Sequence, residues 1–222
     1  MIQFNANMIE AAYEADVEWF LYTSSVGVYH PAEVFKEDDV WETFPSENDW
    51  YAGWAKRIGE MNVQAYMKEH NWNKCSIVRP ANVYGPNESL DEKHGNVIGI
   101  WRSKIEKGQS LPIVGDGNQR RDFTHVYDIV DGLIKCMNTI KNNGDKKYYG
   151  EIYELGRGEN FSINEIANMF KTTTKYIPAR PGEYEITLCD FTKAEKDLGW
   201  TPTKNVSDYI QNWLQNRRTE DV

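Results

Sequence analysis

Cysteine is scarce in this chain of 222 residues, which contains only Cys75, Cys136 and Cys189. The three lie far apart, form no C-x-x-C pair, and have no histidine at metal-ligand spacing. The sequence therefore indicates neither a disulfide framework nor a metal site. Disulfides are rare in reducing compartments, so unpaired cysteines favour a cytoplasmic location, which we expect for this protein.

Long apolar runs and clusters of positive charge are also missing. No run approaches the roughly 20 apolar residues that span a bilayer, and the N-terminus lacks the basic-then-apolar order of a signal peptide. The chain has 25 basic and 34 acidic residues, for a net charge of −9, and its basic residues are scattered. We therefore expect neither membrane association nor a nucleic-acid partner.

Helices and strands alternate in the apolar pattern of the first half. Helical spacing recurs over 3–15 and 49–68, and short apolar runs rich in strand-forming residues occupy 19–23 and 75–78. This order is typical of a parallel sheet with crossover helices.

Beyond Gly85 the predicted elements become shorter. We predict helices at 97–107, 126–138, 163–170 and 206–217, and strands at 111–114 and 152–155. Ser162 followed by Glu165 predicts a capping box for the helix that begins at 163.

Seven segments in order resemble the extended short-chain dehydrogenases that act on nucleotide sugars, such as UDP-galactose epimerases and dTDP-glucose dehydratases. They are N-M-I-E-A-A at 7–12, F-L-Y-T-S-S-V-G-V-Y at 20–29, G-W-A-K-R at 53–57, V-R-P-A-N-V-Y-G-P at 78–86, G-D-G-N-Q-R-R-D-F-T-H-V at 115–126, R-P-G-E at 180–183, and D-F-T-K-A with L-G-W-T-P at 190–202. Each segment alone is a weak signal, whereas seven in order form a strong one.

The resemblance implies an α/β fold with a partial Rossmann-type parallel sheet and a small α/β substrate-binding lobe. Residues 1–84 would form the remaining C-terminal half of the Rossmann-type domain. Residues 85–222 would form mainly the substrate-binding lobe, with short segments around 120–155 returning to the sheet. The family's G-x-x-G-x-x-G turn, whose glycines let the backbone approach a pyrophosphate, is not in this sequence. We therefore expect an N-terminally truncated chain.

The family's chemistry implies a serine, a tyrosine and a lysine in the catalytic site. A phenol has a pKa near 10, so a neighbouring ammonium is needed for a tyrosine to act as a base at neutral pH. Ser25 and Lys56 match the serine and the lysine by position. The tyrosine is expected four residues before the lysine, where Ala52 stands, and Tyr51 lies one residue earlier.

Helical geometry makes this shift matter. At about 100° per residue, a side chain four positions before Lys56 lies about 40° from it, and one five positions before lies about 140° away. Either Tyr51 precedes the first full turn and swings its hydroxyl toward Ser25, or the general base has been lost or replaced.

The remaining site residues follow from the resemblance. Lys56 and Pro80 would contact NAD. A nucleoside diphosphate needs fixed donors for its charges, and the candidates for binding such a sugar are Asn82, Asn96, Arg121, Arg180 and Glu183. Arginine would bind phosphate and ribose, the asparagines would donate amide hydrogen bonds, and Glu183 would accept from a ribose hydroxyl.

Two functions remain open at this stage. The first is an NAD-dependent nucleotide-sugar epimerase or dehydratase, which removes and returns a hydride at a sugar carbon. The second is a catalytically silent protein of the same descent that binds nucleotide sugars. The family also predicts a homodimer formed through the helices at 3–15 and 49–68.

Overall fold

The computed structural model describes residues 1–92, 95–143 and 150–220. Its helices are α1 (Ile2–Glu14), α2 (Trp50–His70), α3 (Val97–Glu106), α4 (Val126–Asn143), α5 (Ile163–Met169), α6 (Thr192–Leu198) and α7 (Val206–Glu220). Its strands are β1 (Phe20–Thr23), β2 (Cys75–Pro80), β3 (Val83–Tyr84), β4 (Leu111–Val114), β5 (Arg120–Asp122), β6 (Thr124–His125), β7 (Ile152–Leu155), β8 (Asn160–Ser162) and β9 (Thr174–Ile177). Two short 3-10 helices, Val26–Val28 and Glu37–Glu42, lie between β1 and α2.

The central sheet is parallel, with the spatial order β1-β2-β7. Apolar clusters cover both of its faces. On one face Ile9 of α1 and Val63 of α2 pack against Ile77 of β2. On the other, Ile129 of α4 packs near Leu155 of β7, together with residues of α6. The middle strand β2 is therefore buried on both sides, which explains its continuous run of buried residues.

A second lobe contains short strand pairs and its own apolar core. β3 pairs with β6 and β4 with β9, both in parallel, while β5 pairs with β8 in antiparallel fashion. Trp101 of α3 lies at the centre of this core with Leu111, Phe170 and Ile210. The capping box at Ser162 is confirmed, since its Oγ accepts from the Glu165 backbone N–H at 3.1 Å and Glu165 Oε2 accepts from the Ser162 N–H at 2.7 Å.

The predicted α/β class with a parallel sheet and a small second lobe is confirmed. The helix predicted at 126–138 continues to Asn143, and the other predicted elements lie within a few residues of their expected bounds. β3, β5, β6, β8, β9 and α6 were not predicted. Strands of two to four residues contain too few positions to show a period, and their pairing depends on partners distant in sequence.

Candidate active site

A cavity of about 550 Å³ lies beside the segments that follow β1 and β2. Ligands of open parallel sheets bind at this carboxyl edge, and the volume lies within the range of about 300 to 1,000 Å³ that is typical of small-molecule sites. The structure brings all five residues predicted to bind a nucleotide sugar to the wall of this cavity: Asn82, Asn96, Arg121, Arg180 and Glu183.

Arg121 is held in place by three hydrogen bonds. Its Nη1 donates to the carbonyl oxygens of Arg120 at 2.8 Å and Tyr184 at 2.7 Å, and its Nη2 donates to Glu183 Oε1 at 3.1 Å. Its Nε–H and second Nη2–H have no partner in the described part of the chain. Burial lowers the pKa of Arg121, although a guanidinium remains protonated. Arg121 is therefore a fixed cation with two donors left for an anionic ligand.

The two asparagines face the cavity differently. Asn82 Nδ2 donates to the Asp122 carbonyl at 3.0 Å and to Thr187 Oγ1 at 3.4 Å, so its amide hydrogens are both used within the protein. Its side-chain oxygen is left to accept from a ligand hydroxyl. Asn96 Nδ2 donates to the Val83 carbonyl at 3.0 Å, which leaves one amide hydrogen for a ligand. The predicted donor role thus suits Asn96, whereas Asn82 is placed as an acceptor.

Arg180 lines the same cavity with an exposed side chain. Across residues 1–92, 95–143 and 150–220 its guanidinium has neither an ion pair nor a hydrogen bond. In contrast to Arg121, this arginine is free to move onto a ligand.

Ser25 and Lys56 lie at the end of β1. Ser25 has an extended backbone, and its Oγ accepts from the Gly27 N–H at 3.1 Å. Lys56 Nζ donates to the Thr23 carbonyl at 2.7 Å, so its ammonium lies beside the same turn. Burial lowers the pKa of Lys56. Gly27 lines the cavity, whereas Ser25 and Lys56, both predicted to be catalytic, are not part of its wall.

The first two helical turns of α2 are held against the segment 25–28 that follows β1. Arg57 is 2% exposed, its Nε and Nη2 donate to the Val28 carbonyl at 2.8 and 2.6 Å, and its Nη1 donates to the Thr43 carbonyl. Gly53 allows close approach, because a Cβ there would lie 2.5 Å from the Gly27 carbonyl oxygen. The serine turn and the start of α2 therefore form one rigid unit.

Gly53→Ala should destabilise this unit. The added methyl group would clash with the Gly27 backbone and also with Pro45 Cβ at 2.6 Å, and moving backbone atoms to relieve the clash costs free energy. We expect the free energy of unfolding, measured with urea, to fall by about 1–3 kcal/mol despite the better helix propensity of alanine. Ala52→Gly, at the exposed neighbouring position, is the comparison and should cost about 1 kcal/mol through propensity alone. Unchanged stability in Gly53→Ala would contradict the close contact.

Tyr51 is not brought to the cavity. It is the second residue of α2, whose first turn is regular because the Gly53 N–H donates to the Asp49 carbonyl at 2.6 Å. Its side chain is 88% exposed and is not part of the cavity wall.

A residue that the sequence did not single out stands at the cavity instead. Asp49, the residue before α2, lines the wall together with Gly27 and Arg121. Burial raises the pKa of its carboxyl group, and the Arg121 guanidinium opposes this rise. Its position seven residues before Lys56, almost two full helical turns, was the signal that could have identified it.

The residues predicted to contact NAD lie at the same edge of the sheet. Lys56 is described above, and Pro80 is the last residue of β2. The ammonium of Lys56 keeps two of its three donors after binding the Thr23 carbonyl, which fits the ribose hydroxyls of a nicotinamide nucleoside. Neither residue supplies the row of backbone N–H donors that a pyrophosphate requires.

Cys75, Cys136 and Cys189 are buried free thiols. Among the residues described, no group of three or more histidine, cysteine, aspartate and glutamate side chains is arranged to hold a metal ion. None of the described helices combines the length and the apolar character needed to cross a bilayer.

Comparison with known proteins agrees with this geometry. Residues 1–156 match the model of the NAD dependent epimerase/dehydratase family. The chain is 31% identical over 236 residues to a GDP-L-fucose synthase of Sinorhizobium fredii, covering 95% of this chain and 71% of that protein. It is 28% identical over 215 residues to a UDP-glucose 4-epimerase of Mycolicibacterium smegmatis, covering 94% and 65%.

Among solved structures, a UDP-glucuronic acid 4-epimerase from Bacillus cereus, in complex with UDP-glucuronic acid and NAD, superimposes with a TM-score of 0.81. That protein is 27% identical, and the match covers 95% of this chain and 64% of the other. The chain spans about two thirds of the length of the curated relatives that it matches. The resemblance predicted from seven sequence segments is confirmed: this chain belongs to the NAD-dependent epimerase/dehydratase family.

Proposed function

We propose that this chain binds a nucleoside-diphosphate sugar in the 550 Å³ cavity and serves NAD-dependent epimerisation or dehydration of that sugar. The observation that carries the proposal is the convergence of two arginines, two asparagines and a glutamate on one wall, beside the turn that contains Ser25. Relatives of the same family are nucleotide-sugar enzymes by name, which supports the substrate class.

Different residues of the cavity wall would bind different parts of the ligand. The diphosphate would bind the free Nε–H and Nη2–H of Arg121, and Arg180 would fold over it, because guanidinium groups match phosphate geometry. Asn96 would donate to the ligand and the oxygen of Asn82 would accept from a hydroxyl. Glu183, already bound to Arg121 through Oε1, keeps its other oxygen for a ribose hydroxyl.

For the cofactor, we propose that Lys56 and Pro80 contact the nicotinamide end of NAD, which supplies a hydride acceptor beside the sugar. Ser25 would hold the sugar hydroxyl through its Oγ, because the Gly27 N–H fixes the orientation of that oxygen. We also propose the domain boundaries predicted from sequence, with 1–84 belonging to the Rossmann-type domain and most of 85–222 to the substrate-binding lobe.

The second candidate is a catalytically silent nucleotide-sugar binding protein. It is favoured by the 88% exposure of Tyr51 and by alanine at position 52. Isothermal titration with NAD, together with an assay of sugar conversion, separates the two functions. Both require binding of a nucleotide sugar, whereas only the enzyme also binds NAD and converts the sugar to product.

Calorimetric titration with UDP-glucose, dTDP-glucose and GDP-fucose tests the proposal. At least one should bind saturably, and Arg180→Gln should weaken that binding about tenfold, because one charge-assisted hydrogen bond contributes about 1.5–3 kcal/mol. Lys175→Gln, an exposed substitution on β9 outside the cavity wall, is the control and should bind like the wild type. Failure of all three sugars to bind would overturn the proposed function.

We further propose a homodimer formed through α1 and α2. The two helices pack against each other and leave exposed apolar side chains, which include Phe4 and Met8 of α1 and Met61 of α2. Exposed apolar surface on adjacent helices is typical of a subunit interface. Sedimentation at micromolar concentration should show a dimer, and a monomer alone would remove this proposal. The buried free thiols agree with the cytoplasmic location that we propose.

A further inference from the structure

Asp49 immediately precedes α2 and stands seven residues before Lys56. At about 100° per residue, seven helical steps end only about 20° from two full turns. Its carboxylate lines the cavity and flanks Gly27: Asp49 Oδ2 and Ser25 Oγ lie 3.6 and 3.4 Å from the position that a Cβ on Gly27 would occupy. The structure therefore places an acidic group and the site serine around the same residue.

The Asp49 carboxylate has no structural task that would explain it. Its backbone N–H donates to the Ser46 carbonyl and Oγ, both at 3.2 Å, and its carbonyl accepts from Gly53. The side chain makes no capping hydrogen bond to α2, and it accepts none from any other residue that the structure describes. A half-buried carboxylate in a cavity wall, with its oxygens unused, is available to a ligand hydroxyl.

We propose that Asp49 binds the reacting hydroxyl of the sugar together with Ser25 and accepts its proton, in place of the tyrosine that position 52 lacks. The hydroxyl O–H bond breaks and its proton moves to Asp49 Oδ2. A C=O bond forms at the sugar carbon, and the C–H bond breaks with its electron pair leaving as hydride to an oxidised nicotinamide. This inference rests on the proposed function and names a further residue of its site.

Electrostatics suit a carboxylate in this role. A phenol must have its pKa lowered by several units to act at neutral pH, whereas a carboxyl group is already ionised there. Burial raises the pKa of Asp49, which makes the carboxylate a stronger base, and the nearby Arg121 guanidinium opposes this rise. Lys56, which donates to Thr23, is then left to the cofactor.

Asp49→Asn tests the inference, because the amide has the same shape and cannot take a proton. Titration with UDP-glucose and with UDP alone separates the sugar from the nucleotide. We expect Asp49→Asn to weaken UDP-glucose binding about tenfold or more and to leave UDP binding unchanged within twofold. Asp38→Asn, an exposed substitution in the 3-10 helix Glu37–Glu42, removes the same charge and should bind both ligands like the wild type.

The rate at which UDP-glucose is converted to product, at saturating UDP-glucose and NAD, is the second readout. It should fall about 100-fold in Asp49→Asn, the loss expected when a general base is removed. Equal binding of UDP-glucose by Asp49→Asn and wild type overturns the inference. So does a lower affinity for UDP-glucose in Tyr51→Phe when Asp49→Asn shows none. Absence of UDP-glucose conversion by the wild type overturns the proton-accepting role alone. A wild type that binds neither UDP nor UDP-glucose overturns the proposed function itself.

Discussion

Replacing Arg121 with glutamine should lower the affinity for a nucleoside diphosphate about 100-fold. The guanidinium offers the diphosphate its Nε–H and one Nη2–H, and two charge-assisted hydrogen bonds in a half-buried wall are together worth about 3 kcal/mol or more. Three internal hydrogen bonds hold this group in advance, so little side-chain entropy is lost on binding. Calorimetric titration with UDP measures the effect.

The adjacent Arg120 provides a matched control. Its guanidinium donates to Asn160 and forms an ion pair with Glu165 at 3.1 Å, and it is not part of the cavity wall. Arg120→Gln should therefore bind UDP like the wild type. A loss of less than threefold in Arg121→Gln would show that the phosphates bind elsewhere.

The family motifs were sufficient to predict where these arginines lie. G-D-G-N-Q-R-R-D-F-T-H-V and R-P-G-E contain Arg121 and Arg180, and both line the same cavity. The hydrogen bonds of Asn82 could not be predicted in this way. Its amide donates to the Asp122 carbonyl and to Thr187 Oγ1, which are far from it in sequence, so its role as an acceptor appears only once the chain has folded.

The long elements were predictable for a different physical reason. Helices such as α2 and the buried strand β2 show their period or their apolar run over many residues. β3 and β6 have two residues each, and they exist because the segments that follow β2 and precede α4 are held side by side. Pairing of this kind is a tertiary property, which a local pattern does not contain.

The start of α2 shows what a one-residue shift does. Motif matching draws attention to Tyr51, because the family places a tyrosine near this position, but the regular first turn leaves that side chain 88% exposed. Counting helical phase back from Lys56 leads instead to Asp49, which lines the cavity. A residue at the start of α2 can take part in the chemistry only if its side chain lies toward the cavity, whatever its type.

Arg79→Met should produce the largest loss of stability, about 3–5 kcal/mol in the free energy of unfolding. Arg79 of β2 and Glu60 of α2 form a bidentate pair, with Nε to Oε1 at 2.9 Å and Nη2 to Oε2 at 2.7 Å, and both side chains are fully buried. Nη1 also donates to the Tyr29 hydroxyl at 2.7 Å and to the Glu37 carbonyl at 2.8 Å. Removing the arginine leaves the Glu60 carboxylate buried without its counter-charge.

The comparison that identifies this cause is the double variant Arg79→Met with Glu60→Met. The attraction within a buried ion pair offsets the cost of desolvating its two charges only in part. Replacing both charges with apolar side chains should therefore recover a large part of the lost free energy of unfolding, which urea unfolding measures. Lys74→Met, which breaks the exposed pair with Asp16, should change stability by less than about 1 kcal/mol. If the double variant were no more stable than Arg79→Met, the loss would come from the bonds to Tyr29 and Glu37, because the buried carboxylate would no longer be present to cause it.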